Sequence, residues 1–259
     1  MSTWNPWHGC TKISLGCYHC YVYRRDAEFG KDASVVSKTA SFNLPIKKNR
    51  KGEYKLQPDG DFVYTCFTSD FFHPDADEWR PEAWAMMKER SDLDFFFVTK
   101  RPERFSVGLP KDWENGYENV HICCTCENQR MTDQRLPLFL ELPIRHKSII
   151  HEPMLESINI RPYLEQHHDC IEEVTCGGES GEDARICDYA WILNTMMQCV
   201  EYNVSFHFKQ TGARFKRGNR IYQIERKDQL AQAARAGIDF RAVRNSLLTQ
   251  PMSDSNLCL

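Results

Sequence analysis

Asp94-Phe95-Phe96-Phe97-Val98-Thr99-Lys100-Arg101-Pro102 is the stretch on which the reading of the fold turns. Aromatic and β-branched residues run without a polar break, then stop at two cations and a proline. Such residues suit a pleated, buried surface, and Pro102 supplies no N–H to a central ladder. An unbroken apolar run, rather than clean alternation, is how a strand buried on both faces of a parallel sheet reads. The pattern recurs at residues 62–67, 120–125, 147–151, 173–176 and 204–208, with a first short strand near residues 3–8. Residues 81–90, 130–142 and 188–202 lie between these runs with helical spacing, the first opening on Pro81. Strand–helix alternation predicts βαβ units. The predicted fold class is therefore α/β, a TIM-like partial (β/α) barrel of parallel strands with outer helices.

In such a sheet the loops after the strands build the site. Read in order, they carry Ser69-Asp70, Lys100-Arg101-Pro102, Glu127-Asn128, Glu152-Pro153, Gly177-Gly178-Glu179 and Lys209-Gln210. Six strand ends each deliver a charged residue to one rim.

The chain has 259 residues, 41% of them hydrophobic, and a formal net charge of −3. It has enough apolar material for a sizeable core. The composition excludes a disordered, collagen-like or generally basic chain. No window is long and apolar enough for a membrane span, and the N-terminus does not read as a secretory signal. The expected compartment is the cytoplasm. Residues 1–248 read as a single partial-barrel domain with an inserted flap at about 30–60, and 249–259 as a flexible tail. Lys47–Lys55 and Lys209–Lys227 are locally basic, so nucleic acid is carried as a partner class.

Twelve cysteines in a reducing compartment turn attention to metal ligands. Cys10, Cys17 and Cys20 stand in a C-x6-C-x2-C pattern, with Gly9 and Gly16 before the first two. Structural zinc and iron–sulfur clusters ordinarily take four protein ligands. Three thiols therefore leave one position open, or else His8, His19 or a distant cysteine closes a structural zinc site. Cys66, Cys123, Cys124, Cys126 and Cys176 lie on or near predicted strands and read as core packing.

The triplet resembles the cluster loop of the radical S-adenosylmethionine superfamily, although six residues rather than three separate its first two cysteines. The chain is also similar to a phage-associated, radical-SAM-like family of unknown function. That resemblance rests on Trp4-Asn5-Pro6, Gly9-Cys10, Gly16-Cys17, Cys20-Tyr21, Ser69-Asp70, Thr99-Lys100-Arg101-Pro102 and Glu127-Asn128, and continues at Glu152-Pro153, Gly177-Gly178-Glu179-Ser180-Gly181 and Phe208-Lys209-Gln210. It implies a [4Fe–4S] cluster on Cys10, Cys17 and Cys20. It implies S-adenosylmethionine on the open iron, reductively cleaved to a 5′-deoxyadenosyl radical that acts on an unknown substrate, nucleic acid or nucleotide among the candidates. An external electron donor and a companion protein encoded alongside are implied as partners. By position, Ser69 and Asp70 are expected to receive the amino group, Lys100 or Arg101 the carboxylate, and Glu127 and Asn128 the ribose hydroxyls. Gly177 and Gly178 would allow close backbone approach, with Glu152, Glu179 and Lys209 completing the cofactor-binding rim. The alternative is a zinc-stabilised nucleic-acid-binding protein without catalytic activity.

Other chemistries find no motif. Gly177-Gly178-Glu179-Ser180-Gly181 is not followed by the glycine that G-x-S-x-G requires, since residue 182 is Glu. No G-x-G-x-x-G or phosphate-loop lysine motif occurs.

Overall fold

The computed structural model describes residues 2–243. The predicted tail at 249–259 and Cys258 lie outside the described residues. Seven parallel strands form the main sheet: β1 (Ser2–Trp4), β2 (Val63–Thr65), β3 (Phe95–Thr99), β4 (Val120–Thr125), β5 (His146–His151), β6 (Ile171–Gly177) and β7 (Ser205–Gln210). They lie side by side in chain order, and the sheet curls into half a barrel flanked by helices. Because all seven run the same way, every strand C-terminus reaches one edge. The strand expected at 62–67 stops at Thr65, because Cys66 takes a left-handed conformation (φ 56°) that turns the chain out of the ladder.

Among the described residues six α-helices accompany the sheet: α1 (Tyr21–Glu28), α2 (Arg80–Glu89), α3 (Gln129–Glu141), α4 (Arg161–His167), α5 (Tyr189–Glu201) and α6 (Arg226–Arg235). The periodicity anticipates α2, α3 and α5; α1, α4 and α6 are found only in the structure. Asn128 starts α3 by accepting from the Met131 N–H at 2.9 Å, and Asp188 starts α5 by accepting from Ala190 at 3.0 Å. Residues 30–60, expected to be a flap, are tied to the body. Ser37–Lys38 pairs antiparallel with Trp7–His8, and Phe42 and Leu56 are buried. A small sheet of Cys187–Asp188, Arg214–Arg217 and Arg220–Gln223 stands apart from the main one.

One expectation needs correction. The strand starts are buried on one face only, whereas the C-terminal halves of β4 and β5 are buried on both. Phe95, Phe97, Val120, Ile122, Ile149, Val174, Phe206 and Phe208 lie under the helices, all at 2% exposure or less. Phe71 stacks on Phe97 there, and Trp84 packs against it at a steep tilt. The alternate residues, among them Tyr64, Phe96, His121, Ser148, Glu173, Thr175 and His207, are half-buried on the other face. The apolar character of β3 hides this, because Phe96 and Val98 belong to the half-buried side.

His151, at the end of β5, is fully buried and its Nδ1 lies 2.5 Å from the Cys126 carbonyl, while Nε2 has no partner. Burial pushes this imidazole down to about 4, against the opposing pull of the Cys126 carbonyl and Glu127. An imidazole held neutral in the folded chain, but protonated in the unfolded chain below its ordinary value of 6.5, contributes stability that is full above pH 6.5 and declines to pH 4. Over that window the wild-type chain is expected to lose roughly 3 kcal/mol more than His151→Asn, which keeps a donor for the carbonyl. Urea unfolding at pH 7 and pH 4 measures the difference. Parallel pH profiles would refute the assignment.

Candidate functional site

The cysteine loop leaves Trp7–His8, passes through a single 3₁₀ turn at Leu15–Cys17 and ends where α1 begins, one residue after Cys20. Its entry is set by Gly9 (φ +95°), where a Cβ would stand 2.3 Å from the Val35 carbonyl oxygen. Cys10 donates its backbone N–H to Ala33 at 2.8 Å. Cys10, Cys17 and Cys20 carry free, half-buried thiols.

A loop with so little secondary structure needs outside partners for its backbone. The strand ends supply them. After β3, buried Arg101 donates to the Thr11 carbonyl and hydroxyl at 2.9 Å each, and its Nη1 lies 3.6 Å from Cys10 Sγ. After β2, buried Asp70 faces Arg101 at 3.2 Å. The Asp70 carboxylate also accepts from Thr99 Oγ1 (2.8 Å), Lys100 N (2.9 Å) and Phe72 N (3.0 Å). Ser69 donates its hydroxyl to the Gly9 carbonyl. Buried His73 takes the Thr11 N–H at 3.2 Å.

After β4, Glu127 is fully buried and pairs with Arg135 of α3 at 2.7 Å. Its other oxygen accepts the Gly16 N–H at 3.2 Å. A Cβ on Gly16 would fall 2.9 Å from the Glu127 carboxyl carbon, so glycine is what allows this approach. Burial raises the Glu127 carboxyl, but Arg135, a bond from Ser14 and Lys100 outweigh it and bring it below the usual range. After β6, Glu179 is gripped by Arg185 through both oxygens (2.6 and 2.9 Å) and lies 3.1 Å from His19. Arg185 continues to the Leu15 carbonyl at 3.0 Å.

The rest of the rim closes on itself. Glu152 pairs with Lys209 at 2.6 Å and accepts from Gln210. Gly177 packs so closely that a Cβ would meet Glu152 Oε1 at 2.9 Å, and one on Gly178 would meet the Thr211 carbonyl oxygen at 2.2 Å. The structure thus brings all the anticipated rim residues to one edge, with most of their polar groups already engaged. Lys100 differs: its ammonium makes no ion pair among the described residues.

The thiols are not equivalent. Burial pushes Cys10 up to about 11, with Asp70 adding to it and Arg101 opposing. Burial also raises Cys17, but Lys100 and bonds from Ile13 and Ser14 more than offset it, leaving that thiol below its ordinary value. The three sulfurs are not all within 4.8 Å of one another. One tetrahedral zinc would need its sulfurs about 3.8 Å apart; a four-iron cluster, with its irons at separate corners, holds thiolates further apart. His8 is taken by Asp26 at 2.6 Å, as His19 is by Glu179. Cys66, Cys123, Cys124, Cys126 and Cys176 are buried, and Cys126 lies just past the end of β4.

Arg135, Arg185, Thr11 and His73 were not anticipated in the sequence reading. Arg135 had a signal: it lies between Thr132 and Phe139 on the buried stripe of α3, where a cation needs a buried partner. Arg185, in an irregular loop, had none.

Residues 1–241 match the model of the family described as protein of unknown function (DUF5131), and the chain belongs to that family. No curated protein and no solved structure matches it.

Proposed function

We propose that this DUF5131 protein is a radical S-adenosylmethionine enzyme in which Cys10, Cys17 and Cys20 hold a [4Fe–4S] cluster. The observation that carries the reading is the loop itself: three free thiols on a segment braced by charged groups from three strand ends of a half-barrel. The donor set fits, being three thiols spread wider than one ion needs, beside Lys100 and Arg101. Bound there, the cluster would supply one-electron cleavage of the sulfonium to a 5′-deoxyadenosyl radical, given an external electron donor.

The chain's own residues take separable roles. Asp70, Arg101, Glu127, Glu179 and Arg185 position the loop. Asn128 caps α3. Lys100, near Cys17 and without an ion-pair partner, is the group for the methionine carboxylate. Gly177 and Gly178 let Glu152 and the Thr211–Gly212 backbone pack closely at this rim. The half-buried concave face, with Thr175, His207 and Lys209, is where a substrate would lie. Among the described residues no helix is long and apolar enough to cross a membrane.

The test is anaerobic reconstitution followed by low-temperature electron paramagnetic resonance of the reduced protein. The expected result is a [4Fe–4S] signal that changes on adding S-adenosylmethionine and vanishes in Cys10→Ala, Cys17→Ala and Cys20→Ala. A colourless protein holding one zinc and no iron would overturn the reading. It would favour the zinc-stapled nucleic-acid binder, whose affinity should fall steeply with salt.

A further inference from the structure

We propose that His121, His146 and Glu172 form a second metal site, for a divalent ion of the zinc type, at the end of the half-barrel opposite the cysteine loop. Their ligand atoms all lie within 4.8 Å of one another, and no other group of three His, Cys, Asp or Glu among the described residues does so. Each comes from a different neighbouring strand: His121 from β4, His146 from β5 and Glu172 from β6. All three sit at the starts of those strands. The position of Thr125, where β4 reaches the cysteine-loop edge, is about 13 Å further along the strand. The proposal is therefore independent of the cluster.

The three side chains are closely set. His146 Nδ1 lies 2.6 Å from one Glu172 oxygen and His121 Nδ1 lies 3.5 Å from the other. The two rings stack face to face, with centroids 4.2 Å apart and planes 22° apart. Two imidazoles and a carboxylate from three adjacent strands thus converge on one point, as metal ligands do. Asp94 stands 3.9 Å from His121 Nε2, on the side away from Glu172, where a carboxylate commonly orients a ligating imidazole. His146 Nε2 is buried without a hydrogen-bond partner. Phe62 packs edge-on against His121, with ring centroids 4.7 Å apart.

Two imidazoles and one carboxylate suit zinc and its neighbours rather than magnesium or calcium. Three protein ligands leave one coordination position, as in zinc sites that accept water or a substrate atom. Bonds of about 2.1 Å bring tetrahedral ligand atoms to roughly 3.4 Å from each other, so side-chain rotation of about an ångström closes the site.

The experiment uses the full chain with Cys10→Ser, Cys17→Ser and Cys20→Ser, titrated with zinc against a chromophoric chelator. One zinc per chain is expected. Adding His146→Ala or Glu172→Gln should weaken binding at least about 100-fold, with circular dichroism unchanged. Zinc-edge X-ray absorption of the wild-type chain at two equivalents gives a second readout. The second equivalent should add an imidazole-containing nitrogen and oxygen shell that the same two substitutions remove. Absence of zinc binding, affinity indifferent to both substitutions, or a sulfur-only shell would overturn the proposal and leave the cluster as an ion pair.

Discussion

Replacing Glu127 with alanine is expected to destabilise the folded chain by about 3–5 kcal/mol, read as a fall in the urea midpoint at unchanged slope. Glu127 is fully buried and Arg135 nearly so, at 4% exposure. Removing the carboxylate leaves the guanidinium under the sheet with the Thr125 carbonyl, 2.7 Å away, as its remaining acceptor. An uncompensated buried charge costs far more than the intact pair contributes. The same substitution removes the acceptor of the Gly16 N–H, so the loop around Cys17 loosens as stability falls. Glu127→Gln keeps an acceptor without the charge and should fall between the two. The double variant Glu127→Ala, Arg135→Ala should lose less than the sum of the singles. The sign with pH follows from the depressed carboxyl: its contribution is present above the ordinary value of 4.5 and lost as pH falls through the lower folded value. A loss below about 1 kcal/mol, within reach of an exposed pair, would show that Arg135 escapes to water and that the brace is not structural.

Arg101→Ala is expected to have a comparable cost, about 3 kcal/mol, and a second effect that a merely structural residue would not produce. Arg101 and Asp70 are 4% exposed each. Without the guanidinium, Asp70 keeps its three neutral donors but no counter-charge, and the Thr11 carbonyl loses its buried donor. The Cys10 thiol, already pushed up by burial and by Asp70, loses the one cation that opposes them. Alkylation of the metal-free protein should therefore show Cys10 slowing further in Arg101→Ala and quickening in Asp70→Asn, while Cys17, with its lowered value, reacts faster than Cys10 throughout. Arg101→Lys should restore charge without the fork that reaches both Thr11 and Asp70, and so recover only part of the stability. If Cys10 reacted at one rate in all three variants, Arg101 would not be the group that sets its acidity.

Much of this arrangement was legible because parallel sheets write themselves locally. Phe95–Thr99 is a continuous apolar strand that ends in charge, and five other runs share its form. A common strand direction then sends Asp70, Arg101, Glu127, Glu152, Glu179 and Lys209 to one edge without knowledge of a single contact. The three helices found by periodicity are those with long buried stripes. α1 and α4 are short, at 8 and 7 residues, and α6 buries only Gln229 and Ala233, so their patterns are weak. The half-buried face of β3 was misread because Phe96 and Val98 are apolar on that side too. Strand composition reports what a residue tolerates; what stands opposite it is a tertiary matter.

The sequence by itself determined the α/β class with its parallel strands, the edge at which its charges gather, and the C-x6-C-x2-C spacing of three thiols. It did so because strand, turn and ligand spacing act over a few residues. Only the tertiary structure decided what the charges do there. Glu127 meets Gly16 across 111 residues, and Glu179 meets His19 across 160. The strand-start cluster of His121, His146 and Glu172 exists only because β4, β5 and β6 lie in adjacent register. Such meetings depend on the closure of the sheet, and a carboxylate carries no local mark of the backbone amide or imidazole it will face.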